Sequence, residues 1–512
     1  MNVIYLGHAG LRIETSRATI LVDPWFSPEG AYQASWFQYP ESQHLISPDL
    51  FTPTAIAISH EHLDHVDPWF LRQVPSHVQI IIPQYPSSVL RRKVEAARPG
   101  NIVEVAPWVS VRVAEGTSLF FVSEDSPMNH DSAMIIVGDG YTFLNLNDAR
   151  LSAVGLRNIR AKVGGAVDLL ALQGSGASWY PMVYHFSDER KREISQGQRL
   201  AKFAYVLKAV RVVEPAMVLP FAGPPCFLDP ELVQYNTEMV DGYFPEQHKV
   251  AEWLTDKGVS NTVVLRPGDA WDIQTRRKTS DPQWVRVQLP DRTAYLAAYA
   301  QRRLSLIESV RNRYPSPATS LWELFREYFL RLLEMSPYFN RKINMRVGFQ
   351  VTGPGGGEWT VDFRQGHQGV ERGLEGCAYR YQFESRWLPP ILSGEVPWED
   401  FFLSLRYRAW RDPDTYNDHL LGLLKFAEPN ALKAVEDYEL SLNAEETFVL
   451  QVDDATYQVQ RFCPHAGHDL RDTAEVVPGR ALRCLSHYYT FDLESGRCLN
   501  GACTPLRTKR IV

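Results

Sequence analysis

Long apolar runs are missing from this chain of 512 residues. No stretch approaches the ~20 apolar residues that a membrane-spanning helix needs, so no membrane partner is expected. Net positive charge is missing too: 53 Lys and Arg stand against 60 Asp and Glu, a formal balance of -7. The charges are mixed along the chain, which argues against a nucleic-acid partner. Cysteine is scarce, with six residues in all, too few for a disulfide scaffold. No glycine fingerprint opens a helix, so a bound dinucleotide is not expected. The opening stretch "MNVIYLGHAGLRIET" lacks a basic n-region and a cleavage pattern and reads as a first strand. A cytoplasmic protein is the expectation. Internal repeats and low-complexity segments are absent.

What is present is unevenly distributed. Four of the cysteines, at 463, 484, 498 and 503, crowd into the C-terminal end, which favours a local metal site. Cys226 and Cys377 read as small buried side chains. Three imidazoles and a carboxylate fall together in "SHEHLDHVD": His60, His62, Asp64 and His65. The length predicts roughly three domains.

Residues 1–275 alternate short strands with helices. "NVIYLG", "LRIET" and "ATILVDP" are strand-like, and "TAIAIS" is an apolar strand that delivers the histidine cluster at its end. "SAMIIVGDGYTFLNLND" predicts a hairpin turning at Asp139-Gly140. A long helical pattern, "QGQRLAKFAYVLKAVRVV", precedes the strand "AMVLPFAG", and "TVVLRPGD" is expected to close a layered α/β unit. Residues 285–440 begin with two helical patterns and continue with a hairpin around the glycines Gly353, Gly355, Gly356 and Gly357. Those glycines lie between strands, so they predict a turn and not a phosphate loop. From 445 to 512 the pattern is all short strands and turns.

Two histidines one residue apart at a strand end can face one ion, and the following aspartate and histidine can face a second. Imidazole suits zinc, iron and copper alike, while carboxylates favour harder ions. The spacing resembles the HxHxDH signature of the metallo-β-lactamase superfamily. That resemblance implies an αββα sandwich. It also implies a third ligand for the first ion at His130 ("MNHDSA"), a bridging carboxylate at Asp148 ("LNLNDAR") and an orienting acid at Asp23 ("ILVDP"). His8 in "LGHAG" either lines the site or is structural. The superfamily's hydrolases bring a last histidine from a late strand, near "LPFAGPPCFLDPEL" here, and no histidine occurs there. Asp229 is the nearest replacement, and His185 lies earlier.

At the C-terminal end Cys463 and His465 form C-x-H, and Cys484 and His487 form C-x-x-H. A Cys₂His₂ zinc site is one reading. Mixing the two ligand types within each loop suits a Rieske [2Fe–2S] cluster, in which one iron takes two cysteines and the other two histidines. "FDLESGRC" and "TPLRTKRIV" resemble strand endings of Rieske domains. The middle region, with "LSGEVPWEDFFLSLRYRAWRDPDTYN", resembles a small α+β sterol-carrier-like module. Its Arg406, Arg408 and Arg411 read as a solvated face or as a clamp for an anion.

A hydrolytic zinc pair has no use for electrons, whereas a one-electron carrier on the same chain can reduce a redox-active metal. The combination resembles the CMP-N-acetylneuraminate hydroxylase family, through "HDSAMIIVGDGYTFLNLNDAR" and "YVLKAVRVVEPAMVLPFAG", with the domain order reversed. Diiron amino-acid hydroxylases of antibiotic pathways share the fold. The resemblance implies O₂-dependent hydroxylation of a small polar substrate at two Fe ions, with an external ferredoxin or cytochrome and its reductase as electron donor. If one chain does not bring cluster and iron pair together, a neighbouring subunit in a homo-oligomer is expected to do so. The alternatives are a zinc hydrolase with a redox-sensing Rieske domain, or an electron carrier with a vestigial metal domain.

Overall fold

The structure is a computed structural model. It describes the chain except residues 176–177, 237–243, 287–290, 413, 415, 443–444, 465–466, 486–487, 501–503 and 512, and the side chains of 285 and 286. The chain divides into two units. The first comprises residues 1–124, 129–177 and 192–311; the second comprises 125–128, 178–191 and 312–512.

Among its described residues the first unit contains the strands β1 (Asn2–Gly7), β2 (Gly10–Glu14), β3 (Thr19–Val22), β4 (Ala55–Ala57), β5 (Gln79–Pro83), β6 (Ile102–Val105), β7 (Val111–Ala114), β8 (Thr117–Ser123), β9 (Ser132–Gly138), β10 (Tyr141–Asn145), β11 (Leu169–Gln173), β12 (Met217–Phe221), β13 (Ala270–Asp272) and β14 (Arg277–Thr279). One sheet runs β14-β13-β1-β2-β3-β4-β5-β6 and the other β12-β11-β10-β9-β8-β7.

The layering follows from the two-residue repeat of a strand, which sends successive side chains to opposite faces. Ile20 and Val22 of β3, Ala55 and Ala57 of β4, Met134 and Ile136 of β9, and Leu169 and Ala171 of β11 share one core between the sheets. Their neighbours point outward. Leu21, Ile56, Ile80 and Ile82 pack against Phe70, Leu71, Leu90 and Val94 of the helices Pro68–Leu71 and Val89–Ala97. On the other sheet Ile135, Leu144, Leu170 and Val218 pack against Leu156, Val206, Val210 and Leu254 of three helices. Both faces of each sheet are therefore buried, which explains why these strands read as continuous apolar runs instead of alternating ones. The result is the expected αββα sandwich.

Two details differ from the sequence reading. "TVVLRPGD" contributes only an isolated bridge, Thr262 to Val218. The unit is closed instead by β13, which pairs with β1 through Val3 and Trp271. The helix Arg292–Asn312, expected to open the middle region, packs Leu296, Tyr299, Ile307 and Val310 onto Phe37, Cys226 and Leu228 of the first unit. Its apolar stripe finds its partner there.

The second unit holds β15 (Arg346–Thr352), β16 (Gly357–Asp362), β17 (Gly369–Arg372), β18 (Tyr379–Glu384) and β19 (Tyr407–Arg411), in the order β17-β16-β15-β18-β19. The glycines between β15 and β16 form a hairpin turn, with Gly353 and Gly355 at positive φ. Among its described residues the C-terminal region, from Thr447 on, has strands and one short helix, Leu470–Thr473. It contains β20 (Thr447–Val452), β21 (Ala455–Gln460), β22 (Ala474–Val477), β23 (Ala481–Cys484), β24 (Thr490–Asp492) and β25 (Thr508–Arg510), in sheets β20-β21-β25 and β22-β23-β24. No described helix is long and apolar enough to cross a membrane.

Candidate metal centres

The first centre lies where several strands of the sandwich end. Asp23 follows β3, residues Ser59–His65 follow β4, and Asn147 and Asp148 follow β10. β3 runs parallel to β4, and β10 parallel to β11 and β12, so these loops share one end of their sheets. Carboxyl ends of parallel strands are the usual ligand-binding edge of an α/β layer. The apolar strand "AIA" is buried, and the polar cluster begins as soon as it ends.

Asp23 organises this edge. Its carboxylate accepts from Ser59 N at 2.8 Å, Ser59 Oγ at 2.7 Å and Asn147 Nδ2 at 2.8 Å, and lies 2.9 Å from His65 Nδ1. Ser59 Oγ in turn lies 2.9 Å from His60 Nδ1. This fixes the outward nitrogens of both rings and leaves Nε2 of each for an ion. Asp67 serves the fold instead, capping the helix Pro68–Leu71 and accepting from Phe26 N and Ser27 N. Burial pushes its carboxyl up to about 6.

The inward atoms form two clusters. His60, His65 and Asp148 offer ligand atoms that all lie within 4.8 Å of one another, as do His8, Asp64 and His65. His65 Nε2 stands 3.6 Å from both Asp64 Oδ2 and Asp148 Oδ1. His65 Nε2 and Asp148 Oδ1 are buried and make no hydrogen bond among the described residues. Buried polar atoms left in this way are costly unless a cation fills the space between them. Nε2 of His60 and Nδ1 of His62 converge to 2.8 Å.

Charge says the same. Burial opposes protonation of His65, but Asp148, Asp64 and Asp23 hold it up to about 10. Burial also opposes ionisation of Asp64, but His65 and His8 hold its carboxyl well below the usual range. The carboxylates require a positive charge at this spot. The mixed imidazole and carboxylate donors fit a divalent first-row ion, iron as readily as zinc.

The other expected residues are placed as follows. His130 is buried, with Nδ1 3.2 Å from Glu61 Oε1 and its ring stacked on Tyr85 at 4.6 Å; it is not in either ligand cluster. Its neighbour Asp131, which the sequence reading passed over, brings Oδ1 to 3.7 Å from His60 Nε2. Asp229 accepts from Glu231 N at 2.9 Å, faces Arg311 at 4.0 Å and is in neither cluster. His185 belongs to the second unit, where its ring stacks on Trp410 at 5.6 Å. His8, expected to line or support the site, is in a ligand cluster. Tyr32, Ser59 and Asn147 were also missed. Tyr32 donates to Asp64 Oδ1 at 2.5 Å from a buried turn in which Tyr32, Gln33 and Ala34 all have positive φ. Nothing in the local sequence advertises that contact.

The second centre is built from two loops of one design. Cys463 N donates to His468 O at 2.8 Å, and Gly467 N donates back to Cys463 O at 2.9 Å. Cys484 N donates to Tyr489 O at 2.9 Å, and Tyr488 N donates back to Cys484 O at 2.8 Å. The fourth residue after each cysteine is left-handed: Gly467 at φ 73° and Tyr488 at φ 65°. Both cysteines are buried in the core that includes Leu470, Leu482, Phe491 and Leu506. His465, His487 and Cys503 lie outside the described residues. Cys498 is partly exposed and is in neither turn.

Comparison with known proteins agrees with this division. Residues 18–212 match the β-lactamase superfamily domain, and residues 423–509 match the Rieske [2Fe-2S] domain. A protein of Mycolicibacterium smegmatis (strain ATCC 700084 / mc(2)155), named as a Rieske 2Fe-2S iron-sulfur protein, is 31% identical over 533 residues, covering 100% of both chains. The chain belongs to this family of Rieske iron–sulfur proteins.

Its wider similarities reach hydroxylases. Cytidine monophosphate-N-acetylneuraminic acid hydroxylase of Mus musculus is 22% identical over 476 residues, covering 84% of this chain and 75% of that one. The structure of CmlA, a diiron β-hydroxylase from Streptomyces venezuelae, is 18% identical and covers 55% of this chain and 54% of that one, with a TM-score of 0.36. The Rieske family assignment favours the [2Fe–2S] reading of the cysteine loops over structural zinc. It also fits the pairing of Cys463 and Cys484 in equivalent turns.

Proposed function

We propose that this Rieske protein is an O₂-dependent oxygenase. It hydroxylates a small polar substrate, derived from a sugar, nucleotide or amino acid, at two iron ions in the sandwich domain. The observation that carries this reading is the presence, on one chain, of an electron-carrying Rieske domain and a carboxylate-rich metal centre. The similarity to a hydroxylase over most of the chain supports it.

When bound, the metals supply O₂ activation at the iron pair and single electrons from the cluster. The protein's own residues set the geometry. His60 and His62 would hold the first ion, with His130 or Asp131 from the segment before β9 as the third ligand. Asp64 and His65 would hold the second, and Asp148 would serve both. Asp23 keeps a hydrogen bond on His65 Nδ1, so that Nε2 stays unprotonated toward the ion. Cys463, His465, Cys484 and His487 hold the cluster. Burial of His8, His60, Asp64 and His65 keeps bulk water away from that part of the site. An external ferredoxin or cytochrome, with its reductase, loads the cluster. Residues 285–440, which lie in sequence between the sandwich and the Rieske domain at 445–512, have a structural or substrate-shaping role.

Metal content of protein made with ample iron and handled without oxygen tests this directly. About four irons per chain and little zinc are expected. About two irons with one or two zincs, together with no reductant-dependent O₂ uptake, would favour a hydrolase with a redox-sensing Rieske domain.

A further inference from the structure

We propose that His8 is the ligand that completes the second metal position, taking over in space the role of the missing late-strand histidine. The inference rests on the two-ion reading above and deepens it.

β12 ends at Phe221, and the residues that follow it, Ala222 and Gly223, carry no group able to bind an ion. They are nonetheless in contact with His8: Ala222 N donates to His8 O at 3.0 Å. A Cβ placed on Gly223, whose φ is +121°, would meet Ser175 Cβ at 2.7 Å and His8 Cε1 at 4.0 Å. No side chain fits at 223, and the ring of His8 stands in front of it.

His8 arrives there from the opposite sheet, at the turn between β1 and β2, with Gly7 paired to Gly10. Its φ is 49°, in the left-handed region, where a side chain costs about 1–2 kcal/mol. A histidine at such a position, in a turn flanked by Gly7 and Gly10, points to a role for its side chain. Nε2 lies 2.8 Å from Asp64 Oδ2. Neighbouring ligands on an ion with bonds of about 2.1 Å sit about 3 Å apart, so the two atoms are already near ligand spacing. Tyr32 donates to the other oxygen, Asp64 Oδ1, which leaves Oδ2 for the side shared with His8 and His65. His8 Nδ1 is buried and makes no hydrogen bond among the described residues, so the ring's only polar contact is Asp64. Asp229, the alternative from the late loop, is turned to Glu231 N and Arg311.

The test is an anaerobic Co²⁺ titration of the full chain with its cluster in place and the sandwich site stripped by a chelator. The d–d absorption reports coordination, and equilibrium dialysis reports stoichiometry. Wild-type protein should bind two Co²⁺ ions. His8→Ala and His8→Gln should each keep one tight ion and bind the second about a hundredfold or more weaker. Glutamine can still donate to Asp64, so it separates a ligand from a residue that only positions that carboxylate. An unchanged cluster spectrum and melting temperature certify the fold of His8→Gln should the alanine variant fail to fold. Two ions at wild-type affinity in His8→Gln would overturn the proposal. A single ion in the wild type would overturn the two-ion reading itself.

Discussion

The two candidate metal centres of this chain are assembled in opposite ways. In the Rieske region the anchoring cysteines sit in two turns whose hydrogen bonds repeat one another, and each turn needs only a handful of consecutive residues. In the sandwich domain the candidate ligands come from the ends of β1, β4 and β10 and from the segment before β9, and Asp23, beyond β3, ties its own loop to those after β4 and β10. The first kind of site is a property of short segments. The second exists only once two sheets have packed and brought their ends into line. A local site should tolerate changes elsewhere and fail all at once when a cysteine is lost. A site gathered from distant strands should weaken in steps.

The largest expected effect lies in the local site. Cys484→Ala should abolish the visible and EPR signature of the cluster while the sandwich still binds its ions. Loss of both metals would contradict the independence of the two centres. Next comes Asp23→Ala, which takes the buried acceptor from Ser59 N and Asn147 Nδ2. At about 1–3 kcal/mol for each unsatisfied group, a loss of about 3 kcal/mol is expected in denaturant unfolding, with metal affinity about ten- to a hundredfold lower. A variant as stable as wild type would show that Asp23 does not bear the network.

His130→Ala and Asp131→Ala together decide the third ligand of the first ion. Asp131 Oδ1 stands 3.7 Å from His60 Nε2, whereas the contact His130 makes at Nδ1 is with Glu61 Oε1 at 3.2 Å; if Asp131 is the ligand, Asp131→Ala should lower the affinity of the tighter Co²⁺ site by the larger factor. A larger loss in His130→Ala would restore the histidine. The two Rieske turns offer a finer contrast. Gly467→Ala places a Cβ 2.5 Å from Leu442 Cδ1 at φ 73°, and should cost about 1–2 kcal/mol. Tyr488→Gly removes a side chain from a left-handed residue, which offsets part of its lost packing, and should change stability less. Melting temperatures of the cluster-loaded proteins compare them.

The smallest effect concerns pH. Glu439 lies 3.0 Å from His419 Nε2 and accepts from Tyr338 at 2.5 Å. Burial works to raise its carboxyl, but these partners hold it below its ordinary value of 4.5. A depressed carboxylate stabilises the fold fully above that ordinary value, and the contribution is lost as pH falls through the lower folded value. Unfolding of Glu439→Gln should therefore show a shallower loss of stability below about pH 4.5 than wild type.

The legibility of the sequence followed the same divide. The strands Asn2–Gly7 and Thr19–Val22, the hairpin at Asp139-Gly140 and the glycine turn at 353–356 were all visible, because period, apolar runs and turn residues are local signals. Cys463 and Cys484, and the cluster His60 to His65, were visible for the same reason. The closing strand was misplaced: "TVVL" is apolar enough for a strand, but pairing with β1 went to Ala270–Asp272, whose apolar content is slight. Tyr32 and Asn147 could not be read, since each acts through one contact with a residue far away in sequence. His8 was seen, but nothing in "LGHAG" says that its ring faces Asp64. The absent late histidine was visible as a gap, but the packing of Ala222 and Gly223 against His8 could not be read from the sequence.

The proposed function requires electrons from the Rieske cluster to reach a metal centre that activates O₂. Its most direct test is rapid mixing of protein with a chemically reduced cluster against O₂, followed by freeze-quench EPR of the cluster. Iron-loaded wild type should reoxidise much faster than His62→Ala, in which the sandwich site is impaired and the cluster is intact. Equal rates in the two proteins would contradict the account, because the cluster would then be losing its electrons without using the iron pair.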